Sequence, residues 1–244
     1  MSFFNKLTNN SLEAAEDRLG GSTGAFNTDI YKGLIKLAYA GKAKSGAQNI
    51  TYVISMPNGQ EYKETVYVTN KAGENFYTMN GDSSKKFPLP GFTLADQICM
   101  IAGGTPLSET TVEDKVIKLM NWDTRKEEPQ TVPVLVDLLN KPIAFALIKE
   151  LVNKEVADSS GKYQPTEETR EQNTIAKVFD PESMMTVNEA LDGKTEGEFH
   201  TKWLEKNKDK VVDKRKIKEG QSAPSKGVVA GKPPARSGLF GNKS

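Results

Sequence analysis

Alternating apolar and polar positions over residues 30–39 predict a β-strand with one buried face. The alternation separates an apolar, aromatic face from a face with two lysines: Tyr31, Ile35, Leu37 and Tyr39 against Lys32, Leu34 and Lys36. Gly33 interrupts the pattern, as a glycine often does at a bulge or bend. Four tyrosines share faces with aliphatic residues, so we expect them in the core: Tyr31, Tyr39, Tyr52 and Tyr62.

Two further strands are predicted at residues 50–56 and 61–68, since Pro57-Asn58-Gly59 between them is a strong hairpin signal. The second strand carries Lys63, Thr65 and Tyr67 on the face opposite Tyr62, Val66 and Val68. Between the first two strands lies a short basic loop, residues 40–49, from which Lys42 and Lys44 project. A turn at 70–75 then leads into a short strand at 76–79.

A short helix follows, with Thr93 as its predicted cap and Gly103-Gly104 as its end. Strands are predicted again at 112–122 and 131–136 around a loop, with Pro133 at an edge, a bulge or a strand start. Residues 142–152 fit a buried strand or a helix, and the opening proline favours a strand. A helix within a strand series predicts a mainly β fold, a five-stranded Greek-key barrel of the oligonucleotide-binding type with an inserted short helix.

The flanking segments differ from this barrel in composition. We expect a helical extension over residues 1–24 with a capped helix at 8–20, and the barrel domain over 25–155. Residues 156–211 are expected to form a polar arm and an amphipathic helix, with a long loop or arm over 153–172, a turn at Asp180-Pro181 and the helix at 196–210. Residues 212–244 are rich in Lys, Gly, Ser and Pro and predict a disordered basic tail.

Composition excludes several kinds of chemistry. Cys99 and His200 are the single cysteine and single histidine, which argues against disulfides, histidine-based triads and multi-cysteine metal sites. No signal-peptide pattern or long apolar run is present, so we expect a soluble protein of a reducing cytoplasm that is not associated with a membrane. Residues 202–244 contain 12 Lys and Arg against 4 Asp and Glu (net +8), which leaves residues 1–201 at net −7. This asymmetry favours an anionic partner near the tail.

Catalytic motifs are also missing, since no phosphate-binding GxxxxGK[ST], GxGxxG or GxSxG pattern occurs. The paired acids Glu127-Glu128 and Glu167-Glu168 lie in polar stretches typical of solvated surface, not of a two-metal nuclease. We therefore expect no enzymatic activity, no metal and no cofactor.

Aromatic rings and cations instead alternate along the strands, a combination that suits single-stranded DNA. Exposed bases stack on aromatic side chains with about 1–3 kcal/mol per base and little sequence preference, while cations neutralise phosphates and release counterions. The predicted DNA contacts are Lys32, Lys36, Lys42, Lys44, Lys63, Tyr67, Phe76, Tyr77, Lys85, Lys86, Trp122 and Arg125.

Four stretches together resemble the single-stranded DNA-binding proteins of tailed bacteriophages: TDIYKGLIKLAYAGKAKSGAQN, EYKETVYVTNKAGENFY, KKFPLPGFTLADQICMIAGGTPLSE and VPVLVDLLNKPI. The resemblance covers about residues 25–155 and extends weakly to KWLEKNKDKVVDKRK. It implies an oligonucleotide-binding fold, sequence-tolerant binding of single strands, and a role beside phage or host polymerases and recombination enzymes in DNA replication, recombination and repair.

The tail departs from the pattern of this function, in which an acidic tail recruits partners and competes with DNA. Here a basic tail either adds DNA contacts or presents the apolar pair Leu239-Phe240 to a polymerase. The predicted tail contacts are Lys214, Arg215, Lys216 and Lys218. Two alternatives use the same surface: a phage interaction or assembly protein, and an RNA-binding protein or transcription co-activator.

Overall fold

A computed structural model describes residues 24–79, 82–121, 124–159 and 161–217, and strands dominate these residues. The strands are β1 (Asp29–Lys42), β2 (Gln48–Ser55), β3 (Glu61–Tyr67), β4 (Phe76–Met79), β5 (Asp82–Pro88), β6 (Val112–Asn121), β7 (Lys126–Leu135), β8 (Pro142–Ala157), β9 (Tyr163–Phe179) and β10 (Val211–Asp213). The helices are α1 (Pro90–Ile98), α2 (Val187–Leu191) and α3 (Phe199–Asn207), with a π-helical turn at Cys99–Gly103 and short 3-10 turns at Leu107–Glu109 and Val136–Leu138. The prediction of a mainly β fold is confirmed.

Eight of the described strands form one sheet, in which β1 and β8 each pair with three other strands. One edge of β8 pairs with β9, while the other pairs first with β1 and then with β10. From β1 the sheet continues to β2 and β3 on one side, and to β7 and β6 on the other. The β10–β8 pairing is parallel, and β4 and β5 form a separate two-stranded hairpin.

The alternation of β1 changes in the middle of the strand. Its register against β2 shifts between Ile35 and Leu37, because a bulge there inserts Lys36 as an extra residue. Ile35 is fully buried in the core, whereas Leu37 and Tyr39 turn to the other face. The prediction that Tyr39 lies in the core is therefore wrong, and the predicted bulge site at Gly33 lies three residues before the extra residue Lys36. A bulge adds one residue and so reverses the face of every later side chain.

Gly33 has a different role, a close approach between strands. A Cβ atom at this position would lie 2.6 Å from the carbonyl oxygen of Ser55. Gly91 similarly lets the first turn of α1 contact the carbonyl oxygen of Tyr67. These two glycines bring β1 onto β2 and α1 onto β3.

The main core lies between the inner face of the sheet and α1. It contains the fully buried Ile35, Tyr52 and Phe145 together with the predicted core residue Tyr62, and Tyr31 packs against it. A smaller cluster lies on the opposite face, where Trp203 of α3 packs onto β8 and β9 beside Ala144, Ala146 and Phe179. The amphipathic helix predicted from Phe199 and Trp203 is thus present as α3.

The sheet does not close into a barrel within the described residues. Where β3 faces β9, the described residues show no backbone pairing between the two strands, and a side chain links them instead. The carboxylate of Glu64 accepts hydrogen bonds from the Tyr62 hydroxyl at 2.6 Å and from the Ile175 backbone N–H at 2.8 Å. The predicted closed five-stranded barrel is therefore not confirmed, and the open edge between β3 and β9 is covered by α1, which contacts both strands.

Two polar stretches expected to be loops are strands instead. The long polar arm predicted at 153–172 is a ribbon, since β8 runs to Ala157 and β9 begins at Tyr163. In the same way β7 begins at Lys126, inside the predicted loop of 123–130. A ribbon with solvent on both faces has no need for apolar alternation, because cross-strand polar pairs such as Lys154 and Glu168 can stabilise it. Residues 142–152 belong to a strand, β8, which is the alternative that the sequence favoured over a helix.

The helix boundaries also differ in detail. Helix α1 begins at Pro90, a residue type suited to the first turn because the missing N–H needs no partner there, and its N-cap is Leu89. Thr93 therefore lies inside the helix and does not cap it. The predicted turn at Asp180-Pro181 is present, and Asp180 accepts hydrogen bonds from Ser183.

The start of the predicted disordered tail is ordered against β8. Residues 211–213 form β10, and Ile217 beyond it is buried. Asn153 fixes this segment, because its amide donates to the Ile217 carbonyl at 2.9 Å and accepts from the Lys216 and Ile217 N–H groups at 2.6 and 2.9 Å. The predicted helix at 8–20 and the tail beyond residue 217 lie outside the described residues. No helix in the described part of the chain is long and apolar enough to cross a membrane.

Candidate nucleic-acid interface

The outer face of β1, β2 and β3 presents rows of aligned side chains. Tyr39, Thr51 and Thr65 form one row, in which the two threonine hydroxyls are 2.8 Å apart. A neighbouring row consists of Leu37, Val53 and Lys63, and the next of Gly41, Asn49 and Tyr67. Tyr67 is 53% exposed, so its ring is available to a ligand. The predicted pairing of Lys63 and Tyr67 on one face is present.

Two loops lie together at one end of this face. The loop after β1 approaches the loop after β3, since a Cβ on Gly46 would lie 3.2 Å from the carbonyl oxygen of Lys71. The Gln48 N–H also donates to the Thr69 hydroxyl at 2.9 Å. Lys44 and Lys71 are exposed on these loops.

Lys42 lies at the same end but belongs to the opposite face by its register with Gln48. It lines a cleft of about 440 Å³ with Leu107, Val112 and Pro133. The structure therefore brings Lys42 near the end of the face and not onto it.

The β4–β5 hairpin supplies exposed aromatic rings next to β3. Tyr77 and Phe87 stack with ring centroids 5.7 Å apart, and they remain 44% and 37% exposed. The ammonium group of Lys86 lies 4.3 Å from the Phe76 ring centroid, while Lys85 is exposed on the same strand. The four predicted contacts Phe76, Tyr77, Lys85 and Lys86 thus occur together on one hairpin.

A cleft of about 620 Å³ connects Tyr67 with the base of this hairpin. It lies where the sheet is open, and Pro88, Lys177 and Glu64 are among its lining residues. Burial lowers the pKa of Lys177, which nevertheless has a hydrogen-bond partner in Gln97 at 3.2 Å. Burial raises the pKa of Glu64 despite the hydrogen bonds from Tyr62 and Ile175. The cleft is therefore partly desolvated, and it lies at the open edge of the sheet between β3, β9 and α1.

Several predicted cations instead bind groups within the protein. Lys32 donates to the Pro181 carbonyl at 2.7 Å, and Lys36 forms an ion pair with Glu61 at 2.5 Å. The predicted tail contacts behave likewise: Lys214 pairs with Glu150 at 2.5 Å, Arg215 with Asp213 at 2.9 Å, and Lys216 with Glu155 at 2.9 Å. A phosphate would have to compete with these carboxylates.

The remaining predicted residues lie elsewhere. Arg125 is at the tip of the β6–β7 hairpin, where it has a φ of 55°. That hairpin mixes acids with bases, so it offers no consistent attraction for an anion. Trp122, Lys218, Leu239 and Phe240 lie outside the described residues.

The structure adds residues that the sequence pattern missed. Tyr39 joins the outer face because of the bulge, Phe87 stacks on Tyr77, and Lys71 and Lys177 line the loop end and the cleft. The proximity of β9 to β3, which brings in Lys177, leaves no local signal in the sequence.

Exposed lysines without an ion-pair partner accompany the rings of this surface. Within the described residues, six exposed lysines on or beside this surface form no ion pair: Lys42, Lys44, Lys63, Lys71, Lys85 and Lys86. Unpaired cations beside exposed rings can bind phosphates and bases at once.

The described residues contain no cluster of three or more potential metal ligands. Cys99 is buried, and burial raises the pKa of its thiol to about 11, so the thiol is protonated at neutral pH. No family model and no curated protein matches this sequence.

Proposed function

We propose that this protein binds single-stranded DNA with little sequence preference and covers exposed strands during phage DNA replication and recombination. Strands β1 to β3, followed by α1, would form an arrangement of the oligonucleotide-binding type, in which strands two and three and the loop after strand one bind the ligand. In this arrangement β3 and β9 remain apart, whereas a closed barrel would have backbone hydrogen bonds between the two strands at this position.

The observation that carries this proposal is the occurrence of exposed rings and unpaired cations on β3, on the β4–β5 hairpin and on the loops after β1 and β3. Tyr67, the stacked pair Tyr77 and Phe87, and Lys63 lie on adjoining elements, with Lys44 and Lys71 at the end of the face. Stacking accepts any base, because every base has a π-face, while the lysines contact phosphates that are the same in every sequence. Binding of this kind would also remove hairpins, since it stabilises the unpaired strand by mass action.

A fluorescence anisotropy titration tests the proposal, with a labelled oligo(dT) of about 30 nucleotides and a duplex of the same length. We expect tighter binding to the single strand. Tyr67→Ala and Tyr77→Ala should each weaken that binding by about 5- to 150-fold, because one stacked base contributes about 1–3 kcal/mol.

Tyr163 provides a matched control, since it is 65% exposed but lies at the tip of the β8–β9 ribbon. Tyr163→Ala should leave the affinity unchanged. Equal affinity for single strand and duplex, or equal losses at Tyr67 and Tyr163, would contradict the proposal. Tighter binding to RNA of the same length would redirect it to an RNA ligand.

A further inference from the structure

Strand β6 has one edge without a partner. It pairs with β7 along its whole length, and no described strand pairs with its other edge. Unpaired edges are usually protected by proline, by short length or by charged side chains. Strand β9 contains Pro165 and β7 contains Pro129 and Pro133, but the ten residues of β6 include no proline. Charged side chains are therefore the protection of this edge, and a strand that pairs with those charges can add to it.

One face of β6 consists of exposed side chains that alternate between apolar and charged. Val112, Val116 and Met120 are 51%, 69% and 42% exposed, and they alternate with the exposed Asp114 and Lys118. Within the described residues neither charged side chain forms an ion pair. They cannot pair with each other, because four residues of strand separate them by about 13 Å.

The order of these five residues is self-complementary. When β6 runs antiparallel to a second β6 with the two Val116 residues opposite each other, Asp114 of each strand faces Lys118 of the other. Val112 then faces Met120. Opposite charges and apolar pairs directly across an antiparallel ladder are both stabilising, and a shift of one residue would destroy all of these matches.

We propose that β6 pairs edge to edge with β6 of a second copy of this chain, in that register and about a two-fold axis through Val116. Such an interface is isologous, since the same residues serve both copies. It joins two β6–β7 hairpins into a four-stranded sheet. Because the contact is limited to one strand from each copy, we expect weak, concentration-dependent association in the micromolar range. This inference is independent of DNA binding.

Cysteine cross-linking tests the register. Val116→Cys places two thiols directly opposite each other at the two-fold axis, where Cβ separations approach those of a disulfide. We expect a disulfide-linked dimer on a non-reducing gel. Val112→Cys is the matched control, because it faces Met120 and not itself, and the native Cys99 is buried. Equal cross-linking of the two variants, or none in either, would overturn the proposal.

Charge reversal tests the pairing on the intact chain by sedimentation velocity. Wild type should shift with concentration toward twice the chain mass of 26.8 kDa. Asp114→Lys alone or Lys118→Asp alone should weaken dimerisation at least about tenfold, because each creates two like-charge pairs. A mixture of the two variants should dimerise again as a heterodimer, which a mere folding defect could not produce.

Lys126→Glu is the control for a general effect of charge, since Lys126 is exposed on β7 and faces Asn121. It should dimerise as wild type does. A wild-type protein that stays monomeric at all concentrations, or single variants that dimerise as well as their mixture, would refute the proposed interface.

Discussion

Glu189 holds the beginnings of two helices with one buried carboxylate. One oxygen accepts hydrogen bonds from the Thr186 N–H and hydroxyl at the start of α2, at 3.0 and 3.2 Å. The other accepts from the N–H groups of Glu198 and Phe199 at the start of α3, at 2.9 and 2.8 Å. Burial alone would raise the pKa of this carboxyl, but these hydrogen bonds lower it from 4.5 to about 2. The ionised form is therefore the stabilising one.

Because the folded pKa lies below the unfolded one, this stability is complete above about pH 4.5 and is lost as the pH falls toward 2. Glu189→Gln should lower the free energy of unfolding by about 1–3 kcal/mol at pH 7, and the difference should shrink at pH 3. Urea unfolding at both pH values measures it. Glu198→Gln, an exposed glutamate paired with Lys194 and Lys202, should change little. A difference at Glu189 that does not vary with pH would assign the loss to packing.

At the scale of elements, the segment after β10 is held by a few specific contacts on β8. Asn153 makes three hydrogen bonds to Lys216 and Ile217, and Ile217 is 5% exposed. Asn153→Ala should therefore destabilise the protein by about 2 kcal/mol, from the lost hydrogen bonds and the released Ile217. Hydrogen exchange of residues 211–217 should become much faster.

Lys154→Ala, at the next position, is the control for this prediction. Lys154 is exposed and forms a surface ion pair with Glu168, so its removal should cost well under 1 kcal/mol. Unchanged exchange of residues 211–217 in Asn153→Ala would show that β10 alone retains the segment.

Elements with one face on the core could be predicted from the sequence. The strands β1 to β3 and helix α3 place large apolar residues at the period of their structure, and the Pro57-Asn58-Gly59 turn fixes the hairpin between β2 and β3. The distal β8–β9 ribbon could not, since neither of its faces meets the core. Strand β10 could not be predicted either, because it has only three residues. Its pairing with β8, and the contacts that hold Ile217, depend on residues about 60 positions earlier in the chain.

The candidate site was predictable to the same extent. Lys63 and Tyr67 follow simple alternation, and the β4–β5 residues cluster in sequence as they do in space. Tyr39 was missed because nothing in the sequence marks the extra residue at Lys36. Lys32 and Lys36 are ordinary lysines in the sequence, and their partners Pro181 and Glu61 appear only once the chain is folded.

At the scale of the whole molecule, the docked segment changes where the tail begins. Residues 218–244 contain five Lys and Arg against one Glu, so the excess positive charge remains after Ile217. Truncation after Ile217 retains the contacts with β8. If the tail binds phosphates, this truncation should reduce the slope of log affinity against log salt by about 0.7 for each lost contact on a single strand.

The measurement is the anisotropy titration at several salt concentrations, with Leu239→Ala/Phe240→Ala in the full chain as the control that retains every charge. That control should keep the wild-type slope. An unchanged slope after truncation, together with lost stimulation of a polymerase in both variants, would contradict tail contacts with DNA and favour a polymerase as the partner of Leu239-Phe240.

The position of β8 at the centre of the sheet also has a consequence for synthesis of the chain. The pairing of β8 with β9 can form as soon as both strands have left the ribosome, and β1 has already been synthesised by then. The edge from Lys149 to Leu151 must wait for residues 211–213, and the buried Glu150 must wait for Lys214. A nascent chain that stops before this point has an unpaired central edge, which is the kind of intermediate that aggregates or needs a chaperone. Maturation of the sheet is therefore completed by its last and shortest strand.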